Sequence, residues 1–175
     1  MKKLLILFIV FTLFLSGCGV YNLSGFTLPD DVEFLALIQR LDTPEKICNY
    51  ILYNFGDEAH ALNVLTPYQL YLAEKGDCDD KANFAVYFAN YHGYRTYQIL
   101  ICYSGTIFKH QIAVYEEDNG YTFSSGGYYY PVNYNNFLDI VKLNSQKIYE
   151  DYGYIWKKFT VYDYDMKVVK QGINN

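Results

Sequence analysis

The sequence is short of basic residues and has no apolar run long enough to cross a membrane. Its 14 lysines and arginines are outnumbered by 19 aspartates and glutamates, which gives a net charge of −5 at pH 7. A chain this acidic lacks the electrostatic attraction that holds proteins on nucleic acids or anionic lipids, so we expect no nucleic-acid partner. The apolar run from Leu4 to Leu15 contains 12 residues, whereas a transmembrane helix needs about 20.

The N-terminus has the features of a lipoprotein signal. The basic pair Lys2-Lys3 precedes the apolar run, whose length suits the core of a signal peptide. Leu15-Ser16-Gly17-Cys18 then matches a lipoprotein box, in which the chain is cut before a cysteine whose thiol carries a diacylglyceryl group. We therefore expect a signal peptide over residues 1–17, a lipid at Cys18 and a tether over residues 18–30. The expected location is extracytoplasmic, anchored by lipid to a bacterial cell membrane. An ordinary secretion signal or a membrane anchor is the alternative.

Cysteine is scarce, and the number beyond the signal is odd. Apart from Cys18, the chain has Cys48, Cys78 and Cys102. Outside the cytoplasm, an odd number leaves at least one thiol free or paired with another molecule. Cys48 lies in a helical pattern and Cys102 ends a strand-like apolar run, so the pattern favours buried thiols at both positions. A disulfide between these two cysteines, with Cys78 outside it, is the alternative.

Residues 31–175 have a length typical of one domain, and their pattern predicts an α+β fold. Helix-start signals occur at Thr43, Thr66 and Asp77. The predicted helices cover Asp31–Leu41, the segment from Thr43 to Gly56, Tyr68–Glu74, Asp77–Gly93 and Tyr134–Leu143. The predicted strands cover Tyr94–Tyr103, Thr106–Glu116, Tyr121–Ser124, Tyr128–Val132, Tyr154–Tyr162 and Met166–Val169. We expect the N-terminal helices to pack on an antiparallel sheet.

The segment Gly76-Asp77-Cys78-Asp79-Asp80 carries the strongest chemical signal. Asp77 is the expected N-cap and Cys78 the first helical residue. A thiol is nucleophilic as the thiolate, and the positive end of a helix favours that form. Among three histidines, only His110 opens a strand-like run, and an imidazole beside Cys78 would take the thiol proton. Cys78 and His110 are therefore the predicted nucleophile and general base.

These residues resemble the bacterial transglutaminase-like cysteine proteinases. The resemblance covers roughly residues 43–132 and is carried by Thr66-Pro67, the Gly76–Asp80 segment with Ala82, Gly93, and His110 with Ala113, Val114 and Tyr115. It implies a papain-like or transglutaminase-like core with a Cys-His-Asp triad. It also implies a thiol peptidase or acyl transferase that acts on an amide bond of a protein or peptide substrate through a cysteine thioester.

The acid of the implied triad is missing from this chain. In the family, an aspartate follows an aromatic residue on the strand after the histidine, whereas here Tyr121 is followed by Ser124 and Ser125. We predict Ser125 as the third member, with Ser124, Asn133 or Asn135 in its place as the remaining options. A hydroxyl accepts a hydrogen bond but cannot stabilise an imidazolium by charge. The alternative function is therefore a catalytically degenerate domain that binds protein or cell-wall material without turnover.

The oxyanion hole is expected to use the backbone N–H of Cys78, which a helix N-terminus leaves outside the intrahelical hydrogen bonds. Gln69 is the predicted side-chain donor and Tyr68 the alternative. No cofactor is expected, and no metal is expected at the catalytic site. The three acids of the segment Asp77–Asp80 leave calcium binding open, although a calcium cage needs six or more oxygen ligands.

The lipoprotein box generates the first prediction. Cys18→Ser removes the thiol that accepts the lipid, so the variant is expected to be misprocessed or released from the membrane. Membrane fractionation with mass analysis of the N-terminus measures this. A variant that is cut normally and still partitions with the membrane would contradict the anchor.

Overall fold

The computed structural model describes residues 23–59 and 64–174, so the predicted signal peptide and the lipidation site Cys18 lie outside the described residues. Across these two ranges, no helix is both long and apolar enough to span a bilayer. A short 3₁₀ turn over Leu23–Gly25 opens the described chain, and Leu23 is buried. The ring of Phe26 lies edge-on to Tyr87, with the centroids 4.9 Å apart. Part of the expected tether therefore packs against the domain.

Four helices precede the main sheet, and each begins at a capping side chain; those of the second, third and fourth helices were predicted from the sequence. They are α1 (Val32–Arg40), α2 (Pro44–Asn54), α3 (Pro67–Ala73) and α4 (Cys78–Tyr91). The side chains of Asp31, Thr43, Thr66 and Asp77 accept backbone N–H groups of the first turns. These bonds satisfy donors that a helix start otherwise leaves unpaired. Gly93, just beyond α4, has a φ of 86° and is the expected left-handed cap.

The main sheet has six strands, which are β3 (Arg95–Tyr103), β4 (Lys109–Glu117), β5 (Gly120–Ser125), β6 (Tyr128–Tyr134), β7 (Trp156–Asp163) and β8 (Val168–Ile173). A separate parallel pair joins β1 (Gly56–Asp57) to β2 (Lys75–Gly76), just before α4. The helix α5 (Phe137–Tyr152) connects β6 to β7. Across the main sheet the strands lie in the order β6-β5-β4-β3-β7-β8, and every neighbouring pair is antiparallel.

The two faces of the sheet support different cores. In β4, Ala113 and Tyr115 pack with the helices α1 to α4, whereas Ile112 and Val114 pack with α5. This is the alternation expected of a strand that is covered on both faces. The fold is therefore α+β, with the N-terminal helices on one face of an antiparallel sheet and α5 on the other.

The helix α5 is longer than its sequence pattern predicted. The prediction ended at Leu143, whereas the helix runs from Phe137 to Tyr152 and ends at Gly153, whose φ is 73°. Asn144 and Ser145 continue the buried face of this helix. Because both residues are polar, they interrupt the apolar periodicity by which an amphipathic helix is identified in a sequence.

The last strand also differs from its prediction. Met166 was expected to open it, but this residue has a φ of 65° and belongs to the turn. The strand β8 therefore begins later and runs over Val168–Ile173. A left-handed residue cannot join an extended ladder, which moves the strand toward the C-terminus.

The turn between β5 and β6 offers a matched pair of substitutions. Gly126 and Gly127 both have positive φ, 59° and 94°. A Cβ at Gly126 would meet no atom within 4 Å, whereas one at Gly127 would lie 2.9 Å from the backbone nitrogen of Leu52 in α2. Both alanine variants carry backbone strain of about 1–2 kcal/mol. Gly127→Ala is expected to lose about 1–3 kcal/mol more, because of overpacking against α2. Urea unfolding of the two variants measures the difference, and equal losses would contradict the contact.

Candidate active site

The start of α4 is built by a buried carboxylate and a glycine. Asp77 Oδ1 accepts the N–H groups of Asp79 and Asp80, and Asp80 Oδ2 accepts the N–H of Asp77 at 2.9 Å, which completes a capping box. Asp80 Oδ1 also accepts the N–H of Leu65 at 2.6 Å. A Cβ on Gly76 would lie 2.7 Å from Asp80 Oδ2, so only glycine fits there. The helix therefore begins at Cys78 because of the contacts made by Gly76, Asp77 and Asp80.

The acids around Cys78 form a compact group. One ligand atom from each of Asp77, Asp79 and Asp80 lies within 4.8 Å of the others. Oxygens of Asp77 and Asp80 already accept backbone N–H groups of the helix start. Carboxylates at this position also interact favourably with the helix dipole. Calcium needs six or more oxygens, and three carboxylates offer only part of such a cage.

His110 and Ser125 are hydrogen-bonded across neighbouring strands. His110 is the second residue of β4, Ser125 is the last residue of β5, and Nε2 lies 2.8 Å from Oγ. Ser124 points to the opposite face of the sheet, where its Oγ lies 2.8 Å from the hydroxyl of Tyr115. Strand alternation therefore separates the two serines, and Ser125 is the one that contacts the imidazole. Asn133 and Asn135 are exposed side chains.

Cys78 lies toward the end of the sheet where β4 begins. Asn83, five residues further along α4, accepts a hydrogen bond from Gln98 of β3. A helix rises about 1.5 Å per residue, so Cys78 is displaced by about 7.5 Å from Asn83 along α4. Because α4 connects through a tight turn to the start of β3, this displacement runs toward Tyr103, the end at which β4 starts. Burial raises the pKa of Tyr103 to about 12, and the charges of ionised Cys78 and Cys102 add to that rise.

The two candidates for the oxyanion donor both have structural partners in or beside α3. Gln69 Oε1 accepts the N–H of Thr66 at 2.9 Å, as part of a second capping box. The hydroxyl of Tyr68 donates to Asp31 Oδ2 at 2.9 Å. The oxyanion role of Gln69 stays a prediction, since its capping bond uses the carbonyl oxygen of the amide rather than its N–H groups.

The three cysteines within the described ranges form no disulfide, and their surroundings differ. Cys48 is buried in α2, where its sulfur lies 3.4 Å from the hydroxyl of Tyr115. This burial raises the pKa of the Cys48 thiol to about 11. Cys78 and Cys102 are half-buried. The prediction of a buried thiol is therefore confirmed for Cys48 and wrong for Cys102, which lies one residue before the end of β3 with part of its surface exposed.

A set of buried amides near the site was missed by the sequence analysis. Gln111, next to His110, donates from Nε2 to Gln98, and Gln98 donates in turn to Asn83 of α4. All three side chains are buried. Neutral amides within strand and helix patterns carry no distinct sequence signal, because most such residues are exposed.

The chain matches no model of a known protein family and, at a significant level, no curated protein.

The contrast among the thiols generates a prediction for the folded protein. Cys78, at a helix N-terminus, is expected to alkylate at pH 7 at least about tenfold faster than Cys48. The reason is that burial and a pKa of about 11 keep Cys48 a protonated thiol at this pH. Site-resolved mass spectrometry after timed iodoacetamide treatment measures the rates, with the urea-unfolded chain as the control in which the rates should converge. Equal rates for the three cysteines in the folded protein would remove Cys78 from consideration as a nucleophile.

Proposed function

We propose that this protein is a thiol-dependent peptidase or acyl transferase that acts on an amide bond of a protein or peptide. Cys78 is the nucleophile, His110 the general base and Ser125 the residue that orients the imidazole. The observation that carries the proposal is the 2.8 Å hydrogen bond between His110 Nε2 and Ser125 Oγ. It joins the two residues that the spacing of a transglutaminase-like core would pair. The papain-like or transglutaminase-like assignment of the core belongs to this proposal.

The proposed reaction follows from the chemistry of the three groups. The Cys78 thiol gives its proton to His110, and the thiolate attacks the carbonyl carbon of the amide. The resulting oxyanion is held by the backbone N–H of Cys78 at the start of α4, with Gln69 as the second donor. The C–N bond then breaks, the imidazolium returns its proton to the leaving amine, and a thioester remains on Cys78. Water or a second amine attacks the thioester, which regenerates the thiol and completes hydrolysis or transfer.

Ser125 gives His110 a defined orientation but no charge. Its hydrogen bond occupies Nε2, so Nδ1 is the nitrogen that faces proton transfer with Cys78. An aspartate in this position would stabilise the imidazolium more strongly, because a hydrogen bond to an ionised group is about twice as strong. The proposed enzyme therefore works with weaker assistance than a Cys-His-Asp triad.

The direction of the strands limits where the proposed site can lie. Gln111 faces α4 through its amide contacts, so alternation turns its neighbour His110 to the other face of β4. In the proposed reaction, the Cys78 thiol and the His110 imidazole would therefore approach each other around the first residues of β4, at the end of the sheet, rather than over its face. Imidazole NMR signals of His110 that shift between the wild-type protein and Cys78→Ala would be the signature of that proximity.

The location and partners form part of the same proposal. A lipid at Cys18 would hold the domain on the outer side of a bacterial cell membrane, where the substrate would be a surface or cell-wall protein. No cofactor takes part in the proposed steps, and nucleic acid is not a proposed partner, since the chain without residues 1–17 carries 12 basic and 19 acidic residues, a net charge of −7.

The proposed function is tested most directly at Ser125, which takes the place of the triad aspartate. Ser125→Asp replaces a neutral hydrogen bond by a charge-assisted one, a gain of about 1 kcal/mol, which corresponds to about a fivefold faster reaction of Cys78. The measurement is the rate of labelling by a peptide with a thiol-directed electrophile, across pH 5–9. Ser125→Ala and His110→Ala are expected to slow labelling.

Ser124→Asp is the matched control, because Ser124 faces Tyr115 and not His110. It adds the same charge one residue away and is expected to give no gain; since Ser124 is buried, circular dichroism first checks that this variant is folded. The rival function, a degenerate domain that binds without turnover, predicts unchanged labelling in Ser125→Asp and intact ligand binding in Cys78→Ala. That pair of results would replace the enzyme proposal by the binding one.

A further inference from the structure

Three buried amides connect the helix that begins with Cys78 to the strand that begins beside His110. Gln111 of β4 donates from Nε2 to Gln98 Oε1. Gln98 of β3 donates from Nε2 to Asn83 Oδ1 of α4 at 2.9 Å. We call Asn83, Gln98 and Gln111 the amide relay. The three residues are exposed by 0%, 2% and 1%, so the relay lies wholly inside the layer between α4 and the sheet.

Apolar side chains in the place of the relay would pack without the free-energy cost of burying polar groups. The same layer contains Ala82, Ala85 and Ala113, which are buried. Burying an amide costs free energy unless both its donor and its acceptor are paired, and within the described residues Asn83 Nδ2 has no hydrogen-bond partner. Burying the relay therefore costs free energy of folding that an apolar core would not lose. Such polar contacts in a core fix one arrangement of the packed elements, because hydrogen bonds are directional and apolar contacts are not.

We infer that the amide relay, with Gln98 at its centre, positions Cys78 relative to His110; this inference rests on the proposed function. Asn83 lies five residues after Cys78 on the same helix, and Gln111 is the residue next to His110 in β4. Gln98 contacts both. Because α4 and β4 are rigid elements, contacts that fix Asn83 relative to Gln111 also fix Cys78 relative to His110.

The relay adds a directional contact with the sheet to the contacts that already hold α4, among them the cap at Asp80 and the buried rings of Phe84 and Phe88. Ala82, Ala85 and Ala89 are buried, but their methyl groups make no directional contact that fixes the register of α4. A slide of α4 by one residue would move Cys78 by about 1.5 Å, and a misplacement of about 1 Å at a reacting group can cost on the order of a hundredfold in rate. A slide of this size would also break the bond between Gln98 and Asn83, because a donor and acceptor about 1.5 Å further apart no longer bond.

The test separates positioning from stability. Gln98→Met keeps the side-chain volume but leaves the amides of Asn83 and Gln111 without their common partner. It is expected to lower Tm and to slow labelling of Cys78 by about tenfold, with an altered pH profile. The triple variant Asn83→Leu, Gln98→Met, Gln111→Met removes the whole relay and is expected to recover part of the lost Tm, since the amides that Gln98→Met deprives of their common partner are also removed. Its labelling of Cys78 is expected to stay slow.

A second variant controls for lost stability. Ile99→Ala opens a cavity in β3 on the α5 face, away from the relay, and lowers Tm while leaving the labelling rate of folded Cys78 unchanged. If His110→Ala slows labelling and the triple variant labels like the wild-type protein, the relay is only structural and this inference alone fails. If His110→Ala has no effect in the wild-type background, the proposed function fails and the inference falls with it.

Discussion

The buried carboxylate of Asp80 is the group on which the start of α4 depends. It has no exposed surface, and a charge in that position is tolerated only when its oxygens are fully hydrogen-bonded. One oxygen accepts the N–H of Asp77 and the other the N–H of Leu65, so a single side chain joins the loop before α3 to the first turn of α4. Gly76 makes room for it. The position of Cys78 follows from these contacts, because the capping box fixes where the helix begins.

Local signals in the sequence were sufficient to predict much of the fold. The caps Asp31, Thr43, Thr66 and Asp77 each act on residues two or three positions away, so their chemistry can be read from the chain itself. The contact between Ser125 and His110 was predictable for a related reason. The turn at Asp118-Asn119 places Glu117 opposite Gly120 and so sets the register of β4 and β5, and the register decides which side chains share a face.

Other features depended on contacts between distant parts of the chain. The extension of α5 beyond Leu143 relies on burial of Asn144 and Ser145, which no local pattern announces. The amide relay combines residues from a helix and two strands, and its members resemble exposed polar residues until the layers are assembled. Gln69 gives an intermediate case. Its place in a capping box can be read from Thr66, three residues earlier in the sequence. The prediction gave Gln69 the role of an oxyanion donor and did not include this capping role.

With the proposed lipid at Cys18, the packing of Leu23 would set how far the domain reaches from the membrane. Leu23 is buried, so a tether that starts at Cys18 has only five residues before the chain joins the core, and these extend over at most about 18 Å. A domain held by so short a tether would not reach molecules far from the membrane. It would sample only a thin layer next to the lipid surface, and its substrates would be limited to molecules that enter that layer. Lengthening this segment, rather than changing any side chain near Cys78, would then be the simplest way to alter which molecules the protein can meet.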